Sequence, residues 1–334
     1  MLALPDLDIA RPRTIAEVVD LLRGAPGDVM ILAGGTDLLP ALKQGLCAPK
    51  RVVSLRRVEG LRGLRYEPDG TLVIGAATTL AEVADHPLLR QRHPAIAEAA
   101  SLVASPQIRN MATLGGNLCL DTRCAFYDQS EFWRDALGHC VKTCGDVCHI
   151  VVGARRCVAA SAADTPAPLL AHGASLRLVS LAGERVVPLA AFFVSDGARN
   201  TTRANDEIIT EVIVPPSDAG ARGAYVKLRR RQAIDFPLLG LALTVSLDDD
   251  AIVRRLTMVV TALGARPRVV SGLDEIACGR RLDADVTCAI GRRAYAQCHP
   301  LGNLGGDVAW RREMIPVLVR RAMAKLATPR PLAG

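Results

Sequence analysis

Aromatic side chains are scarce in this 334-residue chain, with 2 Trp, 4 Tyr and 5 Phe. Proteins that grip single-stranded nucleic acid usually do so on aromatic stacking platforms, so that class of function has little to build on here. Long apolar runs are missing too. Segments such as Phe236 to Leu247 and Val186 to Val194 fall well short of the ~20 residues a membrane-spanning helix needs. Residues 1–17 carry Asp and Arg where an export signal needs an apolar stretch. The expectation is a protein of the reducing cytoplasm, where disulfides are rare. Strong charge of one sign is also absent. The excess is +7, from 41 basic against 34 acidic residues, and the densest basic run is Arg229-Arg230-Arg231. That run reads first as a solvated face, although a mildly basic surface also suits an acidic partner or a phosphate-bearing ligand.

What remains is an ordinary globular composition, half hydrophobic and 22% charged. At roughly 150 residues per domain its length allows two to three domains. The unusual feature is ten cysteines. Cys47, Cys278, Cys288 and Cys298 are isolated, and a lone Cys is usually a small buried hydrophobe. The other six crowd together as Cys119-x4-Cys124-x15-Cys140-x3-Cys144-x3-Cys148-x8-Cys157. Thiolates in fours hold zinc or iron–sulfur clusters. Structural zinc generally uses CxxC-like knuckles, and this window has none, so the spacing favours an iron–sulfur cluster on one long loop over zinc. It does not say which of the six are ligands. His139 and His149 flank ligand candidates and read as surface or hydrogen-bonding residues.

Along the chain, Thr14 and Glu17 form a capping-box pair ahead of an amphipathic helix carrying Ile15, Val18, Val19, Leu21 and Leu22. The apolar run Val29 to Ala33 predicts a buried strand that ends at Gly34-Gly35-Thr36-Asp37, with a helix from Leu38 to Lys43. Strands are predicted at Val52 to Leu55 and Thr71 to Ile74, and Thr79 with Glu82 caps another helix. A helix from Ala95 to Val103 leads to a second glycine turn, Thr113-Leu114-Gly115-Gly116-Asn117. Ser175 to Val179 and Ile208 to Val214 read as strands. Pro215 to Gly220 is the best linker signal and places a domain boundary near residue 218. Beyond it, Tyr225 to Leu228, Leu239 to Leu247 and Ile252 to Val260 read as three strands, with helices at Asp283 to Gln297 and Arg311 to Leu326.

The two glycine turns offer the same kit: main-chain N–H groups beside a helix start, glycines that let a ligand approach closely, and a Thr hydroxyl. Two such turns in one domain suit a diphosphate. Either turn alone also reads as ordinary punctuation in which Gly supplies φ > 0. Neither is a GxGxxG fingerprint or a Walker loop, so nicotinamide and P-loop nucleotides have no support.

Together, Ile31-Leu32-Ala33-Gly34-Gly35-Thr36-Asp37-Leu38 and Ala112-Thr113-Leu114-Gly115-Gly116-Asn117 resemble the FAD-binding medium subunits of the molybdenum hydroxylases, the family of xanthine and carbon monoxide dehydrogenases. The resemblance runs over nearly the whole chain. Most members join the second glycine turn directly to the next strand, whereas the segment from Asp121 to Cys157 resembles the insertion of the medium (beta) subunits of 4-hydroxybenzoyl-CoA reductases. The resemblance implies an α+β fold with an N-terminal α/β subdomain. Residues 1–218 would form the FAD-binding domain, in subdomains of about 1–55 and 56–218, with an iron–sulfur insertion at 119–158. Residues 221–330 would form a C-terminal domain with a three-stranded antiparallel sheet and helices.

Residue roles follow from the same resemblance. Ile31, Leu32, Ala33, Gly34, Gly35, Thr36, Asp37 and Leu38 match the first FAD-diphosphate loop, and Thr113, Gly115, Gly116 and Asn117 the second. Asp164 matches an acid near the flavin's ribityl and phosphate region; Ala163 stands where relatives have Ser, which removes one hydrogen bond. Ile209 matches an apolar flavin contact and Lys227 a basic residue near the isoalloxazine ring. Cys124, Cys140, Cys148 and Cys157 match four ligands of a [4Fe–4S] cluster, with Cys144 spare and Cys119 at the end of the flavin loop. No catalytic acid or base is implied. The implied partners are a large molybdenum-cofactor subunit, a small subunit with two [2Fe–2S] clusters, a doubled heterotrimer and ferredoxin as electron donor. Two other readings stand beside this one: an oxidising molybdenum-hydroxylase flavin subunit that uses NAD or a quinone, and a zinc-held binding scaffold.

Overall fold

In the computed structural model the residues described are 3–24, 27–218 and 220–327; Ala219 of the linker and residues 328–330 of the expected C-terminal domain lie outside them. The first helix, Ile15–Leu21, starts where Thr14 Oγ1 accepts the Glu17 N–H. Its capping box is only half made, because the Glu17 carboxylate takes the Arg13 N–H instead. Thr79 and Glu82 complete both halves and start helix Leu80–Asp85.

Three sheets follow the chain in order. The first joins β1 (Asp8–Ala10), β2 (Val29–Leu32) and β3 (Arg51–Ser54) in the order β1-β3-β2. Both pairings are parallel, with Val52 opposite Ile9 on one side and Met30 on the other. Parallel neighbours need crossovers; helices Ile15–Leu21 and Leu38–Lys43 supply them, and Val18, Val19, Leu22, Val53 and Leu55 form the core beneath.

The second sheet holds β4 (Leu64–Tyr66), β5 (Leu72–Gly75), β6 (Ser175–Ser180), β7 (Gly183–Pro188) and β8 (Ile208–Val214), ordered β4-β5-β8-β6-β7 with every pairing antiparallel. One face alternates inward, so Leu72, Ile74, Leu176, Leu178 and Val212 pack with Leu80, Val83, Ile96 and Leu169 of the helices. The other face carries charge: Arg65 and Arg177 both bond Glu211.

The third sheet has four strands, not the expected three. To β9 (Arg222–Leu228), β10 (Leu239–Leu247) and β11 (Val253–Thr261) it adds β12 (Arg268–Val269), paired to Val259 and Val260. Two exposed residues carry no alternation from which a strand could be read. Burial is nearly continuous along β10, because both faces are covered. Helices Ala284–Gln297 and Val308–Ala327 close one side, where Leu241 and Leu243 meet Ile290 and Leu318. On the other side Ala99, Ala167, Tyr225, Ala242 and Val259 form a close seam with the first domain.

The cysteine segment has one helix, Glu131–Leu137, and a small core of Cys124, Tyr127, Cys157 and Ala159. The C-terminal domain holds it in place. Asn303 accepts the Ala125 N–H at 2.8 Å and donates through Nδ2 to the Val158 carbonyl at 2.6 Å. Among the described residues no helix is long and apolar enough to cross a membrane.

Candidate functional site

β2 runs directly into Gly34–Asp37, and Gly34 is where the two glycine turns meet. A Cβ there would sit 1.9 Å from the Met111 carbonyl oxygen, so only glycine lets the first turn lie against the approach to the second. Gly35 takes φ +73°, which glycine adopts without strain. Among the described residues, the main-chain N–H groups of Gly34, Gly35, Thr36 and Asp37 donate to no protein acceptor. Successive free N–H groups in a turn form a concavity for an anion.

The second turn is built differently from the expected matching kit. Thr113 caps the short helix Leu114–Leu118. Its N–H groups are already used, Leu114 bonding the Thr78 carbonyl, Gly115 the Ala76 carbonyl and Gly116 Thr113 Oγ1. The turn therefore supplies close backbone and a wall rather than free donors. Asn117 extends that wall by accepting from Thr165 through Oδ1, at 2.6 Å from the hydroxyl.

Both turns line one cleft of about 710 Å³, within the size range of cofactor pockets. Ile31, Ala33, Gly34, Gly35, Thr36, Asp37 and Leu38 form one side, and Thr113, Gly115, Gly116 and Asn117 the other, with Asp164 and Ile209 also on the lining. Leu32 and Lys227 are not on it. Leu32 turns its side chain toward Gly35. Lys227 is buried behind the cleft, its Nζ 2.9 Å from Asp164 Oδ2 and 3.0 Å from the Leu102 carbonyl. Tyr225 donates to the other Asp164 oxygen at 2.7 Å. Burial pushes the Asp164 carboxyl up, and Lys227 and Tyr225 pull it back down.

Several lining residues carried no sequence signal of their own. Cys47 reaches the cleft, as do Arg203 and Asn205, and Ile234 and Phe236 come to it from the C-terminal domain, while Cys119 lines it at the end of the second turn, where the resemblance puts it. Arg123 ties the mouth together. It pairs with Asp37 of the first turn, lies 3.6 Å from Asp128 of the insertion, and holds its guanidinium 4.5 Å from the Phe236 ring centre. Its position next to Cys124 was the one hint in the sequence.

A second, much smaller cavity lies within the insertion. Cys124, Cys140, Cys148 and Cys157 all line it, together with Tyr127 and Lys142. Cys144 is exposed and outside it, and Cys119 belongs to the cleft. Burial raises the Cys124 thiol and pushes Cys157 up to about 11, and the Cys140 charge adds to both. Lys142 on the same wall pulls Cys157 partly back down, and a bound metal would favour the thiolate further. Among the described residues no three His, Cys, Asp or Glu side chains converge tightly enough for a single metal ion. A lone zinc draws its thiolates to about 2.3 Å from one centre, whereas a four-iron cluster binds each thiolate to a separate iron and spreads them apart. Cys124, Cys140, Cys148 and Cys157 line a common void without converging on one point. Tyr127 lines both cavities, so they share a wall.

Residues 5–217 match the family described as FAD binding domain in molybdopterin dehydrogenase, and residues 223–326 the CO dehydrogenase flavoprotein C-terminal domain. The chain is 28% identical to the carbon monoxide dehydrogenase medium chain of Hydrogenophaga pseudoflava, covering 96% of each. It is 30% identical to the xanthine dehydrogenase FAD-binding subunit of Escherichia coli O157:H7, over 72% of this chain and 68% of that one. Among solved structures, a chain of carbon monoxide dehydrogenase from Hydrogenophaga pseudoflava superposes with a TM-score of 0.78 at 27% identity, covering 96% of this chain and 97% of that one.

Proposed function

The chain belongs to the FAD-binding medium-subunit family of the molybdenum hydroxylases, as an oxidoreductase subunit that binds FAD; from that premise we propose that it is the flavin and iron–sulfur subunit of a 4-hydroxybenzoyl-CoA reductase-like complex of the cytoplasm. Electrons arrive from reduced ferredoxin at the cysteine-lined cavity and leave from the cleft toward a small subunit with two [2Fe–2S] clusters. A large subunit holds the molybdenum cofactor and the acyl-CoA, and the heterotrimer is doubled. The net reaction on the large subunit takes two electrons and two protons, converts 4-hydroxybenzoyl-CoA to benzoyl-CoA and water, and serves anaerobic aromatic degradation.

One observation carries the reading: four of the six clustered cysteines line a single void that shares Tyr127 with the cleft. In the cleft, the free N–H groups of Gly34 to Asp37 hold the FAD diphosphate, Asp164 faces the ribityl region and Ile209 supplies an apolar contact. Lys227 acts through Asp164, since its ammonium is bonded there. Cys124, Cys140, Cys148 and Cys157 hold the [4Fe–4S] cluster. A flavin between such clusters would take up and pass on electrons singly while holding up to two at a time. This chain's residues need move no proton for the dehydroxylation.

The test is anaerobic purification with iron, sulfide, zinc and flavin assays and EPR on reduction. About four irons and four sulfides per FAD are expected. Cys124→Ser should lose the reducible cluster signal and Cys144→Ser should keep it. FAD without iron would leave an ordinary molybdenum-hydroxylase flavin subunit. That second reading has its own support, because the similar proteins are named as dehydrogenases; NADH formation or quinone reduction by the complex, with no need for ferredoxin, would favour it.

A further inference from the structure

Lys142 is the buried charge that the proposed function leaves unused. Its side chain is only 4% exposed and lines the cysteine cavity. The ammonium donates to Asp121 Oδ1 at 2.7 Å, to the Thr122 carbonyl at 3.0 Å and to Thr122 Oγ1 at 2.6 Å. Those bonds use all three of its donors and fix it 4.2 Å from the Tyr127 ring centre. Its counter-charge is placed unequally. The Asp121 side chain is 47% exposed and on the cleft side, where water screens it, while the cation lies in the poorly screened interior. Close by, Arg123 and Asp128 oppose one another.

We infer that Lys142 is a positioning residue whose fixed positive charge sets the reduction potential of the cluster held by Cys124, Cys140, Cys148 and Cys157. The inference rests on the cluster reading above. A cluster held by four thiolates becomes more negative by one charge when it takes up one electron, and net charge is among the quantities that set its potential. A fixed cation at the cavity wall stabilises the reduced form more than the oxidised one and so raises the potential. A higher cluster potential favours electron entry from the donor into the cluster, so Lys142 is the group through which the insertion eases that first transfer, with Tyr127 standing between it and the flavin cleft.

The experiment is an EPR redox titration of the cluster in the purified complex, poised with dithionite and mediators at fixed pH. Lys142→Gln should shift the midpoint to more negative potential, and Lys142→Arg, which keeps the charge, should leave it near that of the wild type. Asp121→Asn removes the opposing charge and should shift it to more positive potential. A purely structural role would lower iron content or melting temperature without these opposite shifts. Should Lys142→Gln lose its iron, Asp121→Asn decides alone. A loaded wild type with an unmoved midpoint in the loaded variants overturns the inference and leaves the cluster reading intact. Wild-type complex without iron removes the cluster reading and the inference together.

Discussion

A single missing methyl group decides whether the cleft exists. The position of a Gly34 Cβ is 1.9 Å from the Met111 carbonyl oxygen and 3.0 Å from the Ala112 Cα, and a backbone neighbour cannot swing aside as a side chain can. Gly34→Ala should therefore part the two turns, cost about 1–3 kcal/mol in overpacking and lose most of the bound flavin. Gly302 has nothing within 4 Å of its Cβ position, so Gly302→Ala should match the wild type. The ratio of flavin absorbance to protein, with urea unfolding of both variants, checks the pair; full flavin in Gly34→Ala would show that the turns are free to move. Lys227 teaches the same lesson about scale. By itself it reads as a solvated strand lysine and by resemblance as a basic residue near the isoalloxazine ring, and in the fold its ammonium is bonded to Asp164 one layer behind the cleft lining.

At the scale of elements, two helix ends meet at the seam between domains. His93 is the N-cap of Pro94–Ser101 and His172 the C-cap of Pro166–Ala171, with ring centres 5.1 Å apart and nearly perpendicular. Burial depresses both, His93 to about 4 and His172 to about 3. An unfolded His titrates near 6.5. Between about pH 6.5 and 4 the unfolded chain thus binds protons that the folded one refuses, and stability falls as the pH drops. Urea midpoints measured across that window should decline for the wild type and flatten for His93→Gln, if folding survives the change, with His172→Gln as the second check. A wild-type midpoint that is constant from pH 6.5 to 4 would contradict the burial of these rings as neutral groups. The second glycine turn makes the complementary point: its N–H groups look available from sequence, yet the carbonyls of Ala76 and Thr78, in the turn after β5, and Thr113 Oγ1 take them.

For the whole molecule, the decisive arrangement is that the C-terminal domain holds the insertion. Asn303 bonds both of its flanks, at Ala125 and Val158, and the Ser161 main chain exchanges bonds with Ala262 and Gly264. Asn303→Ala keeps the main-chain acceptor but drops the side-chain bond to Val158, a loss of about 0.5–1.5 kcal/mol concentrated on the loop. Limited proteolysis should cut within residues 131–156 faster in this variant, while the melting temperature of the rest changes little. Equal cutting rates would mean that the insertion holds itself by its own small core.

Local signals in the sequence determined a great deal. Helix Leu38–Lys43 and strand Ile208–Val214 have the limits their apolar patterns predict, and the crowding of six cysteines marks residues 119–157 as the segment to ask about a thiolate site. These features depend on neighbours along the chain, where periodicity and turn chemistry act. Short edge strands such as Asp8–Ala10 and Arg268–Val269 left no such trace, since two or three residues cannot carry a period. Only the tertiary structure gathered Cys124, Cys140, Cys148 and Cys157 around one void, joined Arg123 to Asp37 and Phe236, turned Lys227 away from the cleft, and buried Lys142 in the cavity wall. Each of those outcomes depends on contacts between residues far apart in the chain, and burial, screening and hydrogen-bond competition are properties of the assembled interior.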